Sequence, residues 1–148
     1  MKYEILSKDY ITEQLLYNFM LIVNDKFPIS LSSKSDLSST ANKLYTLGDI
    51  FFIKDNKQII GLVAGYNNNM DNKAGYISIL ALLEEYRGKG LATKLVETFL
   101  ESSEKKEMEK VVLFTHSTNK AAINLYKKLG FYVVELRSNG DYLLEKVL

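Results

Sequence analysis

Residues 85–92 of the chain, Glu-Tyr-Arg-Gly-Lys-Gly-Leu-Ala, interleave two glycines with two cations. An apolar stretch ends near Leu82 and a helical pattern begins near Leu91. A helix start leaves several backbone N–H groups without intrahelical partners. A Ser, Thr, Asp or Asn side chain ordinarily accepts from one of them, yet none lies between Leu83 and Leu91. An external anion suits those donors, because the helix dipole favours negative charge at that end. Gly88 and Gly90 let the backbone approach closely with positive φ, and Arg87 and Lys89 add charge. Taken alone, the turn fits an anion site and a plain glycine loop equally well. Two rival phosphate patterns fit worse. The Walker spacing Gly-x-x-x-x-Gly-Lys-Ser/Thr is absent. The dinucleotide pattern reaches only Gly88, Gly90, Thr93, and the following strand ends in Thr115-His116 without an acidic ribose ligand.

A second segment, residues 119–131, combines an amide, a phenol and a terminal glycine: Asn-Lys-Ala-Ala-Ile-Asn-Leu-Tyr-Lys-Lys-Leu-Gly-Phe. Asn119 is placed as a helix N-cap whatever else it does. Tyr126 shares a helix face with Ala122 and Leu129 and reads equally as a core residue. Gly130 stands where a helix C-terminal glycine belongs.

The elements that position these residues follow from periodicity and turn chemistry. Tyr3 and Ile5 predict a short strand over residues 2–7. Ile11, Leu15, Phe19 and Ile22-Val23 predict a helix over residues 10–26, ended by Phe27-Pro28. Residues 30–40 are Ser-rich, a loop or a polar helix start, and residues 38–46 predict a short helix. Residues 49–54 form a β-branched and aromatic strand, Asp55-Asn56 a turn, and Gln58–Tyr66 the return strand. The Asn-rich residues 67–72 form a loop, and residues 75–82 a third strand. The helix over Leu91–Lys105 turns Leu91, Ala92, Leu95, Val96, Phe99 and Leu100 inward. A strand at residues 111–115, a helix at residues 119–129 with Ala122, Ile123, Leu125, Tyr126 and Leu129 inside, and strands at residues 131–136 and 142–147 complete the chain. This order predicts a single domain over residues 1–148. It is an α/β fold with a mixed, mainly antiparallel central sheet and flanking helices.

Composition removes several kinds of chemistry. With no cysteine and one histidine, His116, the chain has no disulfide, no thiol nucleophile and no Cys- or multi-His metal site. Nineteen Lys and Arg against 18 Asp and Glu lack the basic excess of a nucleic-acid binder. The N-terminus does not read as a signal peptide, and no stretch approaches the ~20 apolar residues of a membrane span. A cytoplasmic protein without a membrane partner is expected. Oligomeric state is not readable, and a homodimer is left open.

Arg87-Gly88-Lys89-Gly90-Leu91-Ala92 resembles the Arg/Gln-x-x-Gly-x-Gly/Ala pattern of the GCN5-related N-acetyltransferase (GNAT) superfamily. Residues 119–131 are similar to that superfamily's Asn-x-x-Ala-x-x-Leu-Tyr-x-x-x-Gly-Phe block. The two motifs stand in the expected order, with one helix and one strand between them, and cover residues 76–132. The resemblance implies the GNAT fold and acetyl-CoA as cosubstrate. It also implies an N-acetyltransferase in which an amine attacks the thioester directly. Backbone amides of Arg87, Gly88, Lys89, Gly90, Leu91 and Ala92 would hold the pyrophosphate. Leu80, Ala81 and Leu82 would pair with the pantetheine arm, on a strand that splays from its neighbour at residues 111–115. Asn119 would contact that arm. Tyr126 would protonate the leaving thiolate, and backbone N–H near Ala81 and Leu82 would polarise the thioester carbonyl.

One departure matters. Many members carry a carboxylate on the central strand as general base, but residues 76–82 read Tyr-Ile-Ser-Ile-Leu-Ala-Leu. Glu84 and Glu85 belong to the turn and are expected to face solvent. The base stays unassigned among a water relay, Ser78 through water, His116, or none. In this fold residues 24–46 and 67–74 would form the acceptor pocket. Their hydroxyls and amides, with Asp25, Lys26, Lys34 and Asp36, suit a small polar amine such as an amino sugar, with a peptide amine as the other choice. The alternative function is a non-catalytic acyl-CoA-binding sensor or interaction module. A nucleotide-binding regulator is a third reading.

Overall fold

The computed structural model describes residues 3–24 and 36–148. The expected helix terminator Phe27-Pro28, with Asp25, Lys26 and Lys34, lies outside the described residues.

Helix α1 (Glu13–Val23) starts where Thr12 turns extended and its hydroxyl accepts from Leu15 N–H at 3.1 Å. Its buried stripe is Leu16, Phe19, Met20 and Val23. The expected stripe through Leu15 and Ile22 is therefore corrected: these two are 41% and 56% exposed. Positions 16, 19, 20 and 23 recur at helical spacing, while 15 and 22 fall on its flank. Helix α2 (Leu37–Leu47) begins one residue earlier than expected, because Asp36 accepts from Ser39 N–H at 3.2 Å.

Seven strands form one sheet in the order β1-β2-β3-β4-β5-β7-β6. They are β1 (Ile5–Ser7), β2 (Asp49–Asp55), β3 (Gln58–Tyr66), β4 (Ala74–Leu82), β5 (Lys110–His116), β6 (Tyr132–Leu136) and β7 (Asp141–Val147). The hairpin turn falls one residue later than expected. Asp55 pairs with Gln58, and Asn56 takes the left-handed conformation at φ 57°. Only the β4–β5 pair is parallel. Helix α3 (Leu91–Lys105) crosses between them, and α4 (Lys120–Lys128) follows β5.

Two cores sandwich the sheet. On one face α1 and α2 bury Leu16, Phe19, Met20 and Leu44 against Ile50, Phe52, Leu62 and Ile79. On the other, α3 buries Leu95, Val96 and Phe99 against Ile60, Val63, Ile77, Val111, Leu113 and Leu144. Each fully buried aliphatic or aromatic side chain contributes roughly 1.5–3 kcal/mol, so both faces hold the central strands firmly.

Candidate active site: a forked strand facing a capless helix

Strand β4 is closed along one edge and half open along the other. Against β3 it pairs from Tyr76 to Leu82, with Ser78 left over as a bulge between Ile77 and Ile79. Against β5 it pairs only from Ala74 to Ile77, opposite Lys110 to Leu113. Both strands run on, to Leu82 and His116, without further pairing to each other. The sheet therefore forks after Ile77.

Beyond the fork the backbone of β4 has polar groups to offer. Leu83 N–H donates to Ile60 carbonyl at 2.8 Å while Leu82 sits opposite Gly61. That geometry makes Leu82–Gly61 a non-hydrogen-bonded pair, and Leu80–Val63 likewise. The N–H and C=O of Leu80 and Leu82 thus point into the fork, whereas those of Ala81 serve β3. This corrects the expectation that Ala81 N–H polarises a bound carbonyl. The Leu82 carbonyl is already taken, because Arg87 Nε donates to it at 3.3 Å.

The fork opens into a cleft of about 370 Å³. Leu80, Ala81 and Leu82 form one wall, and Arg87, Gly88, Gly90, Leu91, Ala92 and Thr93 the second. Asn119, Ala121, Ala122 and Leu125 of the α4 region close the third, with Val23 at the rim. The two sequence motifs therefore face each other across one space.

The second wall is the start of α3. Its N-cap is Gly90, in the left-handed conformation at φ 79° and without a side-chain cap bond, and no acidic residue stands in the first turn. Gly88 is also left-handed, at φ 78°, with open space where a Cβ would lie. The first helical bond is Lys94 N–H to Gly90 carbonyl at 3.2 Å. The N–H groups of Leu91, Ala92 and Thr93 consequently have no acceptor among the described residues. Three free donors at the positive end of a 15-residue helix fit a phosphate group.

Residues 16–131 match the acetyltransferase (GNAT) family. The chain belongs to that family. Among curated relatives it is similar to N-alpha-acetyltransferase 30 of Schizosaccharomyces pombe, at 37% identity over 83 residues, 55% of each chain. The human N-alpha-acetyltransferase 30 is 41% identical over 59 residues, 40% of this chain and 16% of the relative. The chain thus spans about half, or less, of the length of these relatives. Among solved structures, the NatC complex bound to Gag peptide and CoA contains a chain that superimposes with a TM-score of 0.76 at 25% identity. That match covers 100% of this chain and 99% of the other.

Within this GNAT frame the remaining residues divide. Asn119 is the helix N-cap expected of its position, its Oδ1 accepting from Ala122 N–H at 3.3 Å, and it also lines the cleft. Lys89 is exposed and off the cleft wall, its ammonium 5.9 Å from the Tyr86 ring centroid. Tyr86 hydroxyl donates to Asp55 Oδ2 at 2.5 Å and ties the turn to the β2–β3 hairpin. That bond to a carboxylate, with burial, pushes the Tyr86 phenol up to about 12. Glu84 and Glu85 face solvent.

Tyr126 is only 4% exposed and packs edge-on against Phe131, with ring centroids 5.3 Å apart. It stands behind the wall made by Ala122 and Leu125, not in it. Burial raises its pKa. Deprotonation is disfavoured there, so the phenol carries its proton at neutral pH. His116 lies at the end of β5, its Nδ1 2.8 Å from Thr118 Oγ1.

Val23, Thr93, Ala121, Ala122 and Leu125 line the cleft and are not among the site residues expected from the sequence. The available signal was the small pair Ala121-Ala122 directly after a capping Asn, which leaves room between α4 and the glycine turn.

Proposed function

We propose that this chain is an acetyl-CoA-dependent N-acetyltransferase whose acceptor is a peptide α-amine. The observation that carries the reading is the cleft between a forked strand and a capless helix start. A pyrophosphate fits the free N–H groups of Leu91, Ala92 and Thr93, with the Arg87 charge on the same wall. An amide-containing arm fits the open edge of Leu80 and Leu82, in the manner of an added strand. When bound, acetyl-CoA supplies an activated acyl group as a thioester. Leu82 N–H, or that of Leu80, donates to the carbonyl oxygen as it gains negative charge. Asn119 orients the arm from the α4 side. Tyr126 holds the proton that the departing sulfur takes, and its raised pKa keeps that proton in place between turnovers.

Composition alone favoured an amino sugar. A peptide acceptor is preferred because the curated relatives are named N-alpha-acetyltransferases, and because one superimposable structure is a complex with peptide and CoA.

The test has two parts. Calorimetry with CoA, NAD and ATP in turn should give binding to CoA alone; binding of NAD or ATP in its place supports the nucleotide-regulator reading. Thiol release from acetyl-CoA should then appear with N-terminally free peptides and not with amino sugars. Turnover on the sugars alone would reverse the acceptor assignment. CoA binding without turnover on either panel would favour the sensor, the reading that the carboxylate-free strand β4 supports. Tyr126→Phe is expected to leave CoA affinity unchanged and lower kcat at neutral pH by about 10²-fold. An unchanged kcat removes Tyr126 from the proton transfer.

A further inference from the structure

The sheet face turned away from α3 and α4 is only partly covered. Among the described residues, the core under α1 and α2 draws on β2, β3 and β4, with Leu6 and Leu83 at its margin, and on no residue of β5 or β7. Strands β5 and β7 lie outside it. Alternation sends Val111 and Leu113 into the core under α3. It leaves Phe114 and His116 on the uncovered face, opposite Leu143 and Asp141 of β7. Phe114, His116 and Leu143 are half-buried there. Asp141 is only 5% exposed.

The surroundings of Asp141 leave one of its oxygens unused. Oδ2 accepts from the Asn139 amide at 3.3 Å. Oδ1 is buried without a hydrogen-bond partner, and no other buried side-chain polar atom among the described residues is in that position. Such a group is costly unless something with a proton to donate comes to it. No described cation forms an ion pair with it. Four groups face Asp141. Tyr76 comes from β4, its phenol raised by burial and then by the Asp141 charge. His116 is the cross-strand partner on β5, with Nδ1 already engaged by Thr118. Nε2 of that ring is crowded by Gly140, where a Cβ would come within 2.7 Å. Asn139 and Arg137 come from the β6–β7 turn. Arg137 binds Asp141 only through its backbone N–H, at 2.8 Å. Its guanidinium lies over the Phe114 ring at 4.8 Å from the centroid.

The place is as informative as the chemistry. Tyr76 is one residue before the last β4–β5 pair, and His116 three residues after it. Asp141 therefore sits beside the fork, on the face opposite the α3–α4 core, so that an acceptor and a cofactor could meet at the fork from two sides.

We propose that Asp141 receives the acceptor amine, its free Oδ1 binding the incoming ammonium and taking the proton that must leave before nitrogen can attack. The proposal rests on the acetyltransferase reading above and supplies the carboxylate that β4 lacks. The ammonium arrives at the face where Phe114 and Tyr76 meet edge to face, ring centroids 6.2 Å apart, and takes its place beside Oδ1 as the nearby rings and the Arg137 guanidinium shift. It gives one proton to Oδ1, which frees the nitrogen lone pair. As the N–C bond forms and the C–S bond breaks, the nitrogen sheds a second proton and the sulfur gains one from Tyr126. The second nitrogen proton restores the phenol through solvent. Asp141 returns its own proton to solvent, so one proton is released per turnover.

The experiment compares the wild type, Asp141→Asn and Asp141→Glu with the peptide that the wild type acetylates best. Calorimetry with CoA should give the same affinity in all three. In Asp141→Asn the peptide KM should rise about tenfold and kcat at pH 7 fall about 10²-fold. Part of the loss should be recovered at pH 9–10, where the amine is already neutral; Asp141→Glu should regain part of the activity at pH 7. Unchanged KM, kcat and pH profile in a folded Asp141→Asn overturn the proposal while the enzyme reading stands. So does a loss that alkaline pH does not relieve and that CoA affinity and Tm share, because that pattern belongs to a merely structural carboxylate. A wild type without turnover on any amine removes both proposals together.

Discussion

The two ends of β4 are built on opposite terms. At its start the strand is paired on both edges and lies, at Gly75, against a polar knot that joins β2, the residue after β3 and α3. Asp49 of β2 accepts from Asn67 Nδ2 at 2.8 Å, from Ser102 Oγ at 2.9 Å and from Lys106 Nζ at 2.5 Å. Ser103 hydroxyl donates to Asn67 Oδ1 at 2.7 Å, and a side chain at Gly75 would strike that oxygen. Polar groups there are buried but satisfied. At the other end, past Ile77, the N–H groups of Leu80, Leu82, Leu91, Ala92 and Thr93 are left open. Stability is invested where donors meet acceptors inside the chain; the end where they do not leaves donors free for a ligand.

The largest effect is expected from breaking the closed end. Asp49→Ala strands Asn67, Ser102 and Lys106 together and should cost about 2–3 kcal/mol, read by urea unfolding, while CoA affinity stays within about twofold. Burial raises the Asp49 carboxyl, but the bonds from Asn67, Lys106 and Ser102 together outweigh it and hold it below its ordinary 3.8. The folded state therefore favours the ionised form. This stabilisation is complete above pH 3.8 and should fade as pH falls through the lower folded value. Asp49→Asn should flatten that acid limb; an identical limb would place the acid sensitivity elsewhere.

Next comes the open end. Gly90→Val forces a β-branched residue into the left-handed region at φ 79° and should cost about 1–2 kcal/mol. Here a signal of similar size is expected in binding. CoA affinity should fall about tenfold, equivalent to about 1.4 kcal/mol. An affinity that survives this change would mean that the first turn of α3 is not the anion site.

The smallest effect sharpens the comparison at one residue that belongs to both categories. Asn119→Ala removes a helix cap and should cost about 1 kcal/mol. Asn119→Ser keeps a capping oxygen and deletes only the amide. If CoA affinity drops equally in both, the amide serves the cofactor; if Ser restores it, the cap was the whole contribution.

How much of this was legible beforehand differs between the same two ends. The bounds of α3 and β3 could be read directly, because glycines and asparagines punctuate them and their apolar periodicity is unbroken. The capless wall of the cleft was legible for the same reason: a helix start without a capping side chain is a statement about sequence. The open edge was less so. Which of Leu80, Ala81 and Leu82 faces the fork depends on the bulge at Ser78 and the register against β3, and neither has a local signature. Asp141 was invisible. Its meaning comes from His116 across the ladder and Tyr76 one strand further, positions 25 to 65 residues away. The tie from Asp49 to Lys106 is non-local in the same way. The misplaced stripe on α1 had a simpler cause: Leu15 and Ile22 are as apolar as Leu16 and Val23, so the pattern alone does not choose the buried edge.

Helix α3 runs from one end to the other. Its 15 residues span about 22 Å, with the first turn at the cleft and Ser102, Ser103 and Lys106 in the polar knot at the far end. Amide hydrogens along it should therefore exchange with solvent deuterium on a gradient, slowest near Ser103 and fastest at Leu91 to Thr93. Ligand binding would flatten that gradient from the fast end only, so one helix would serve as an internal ruler for occupancy of the cleft.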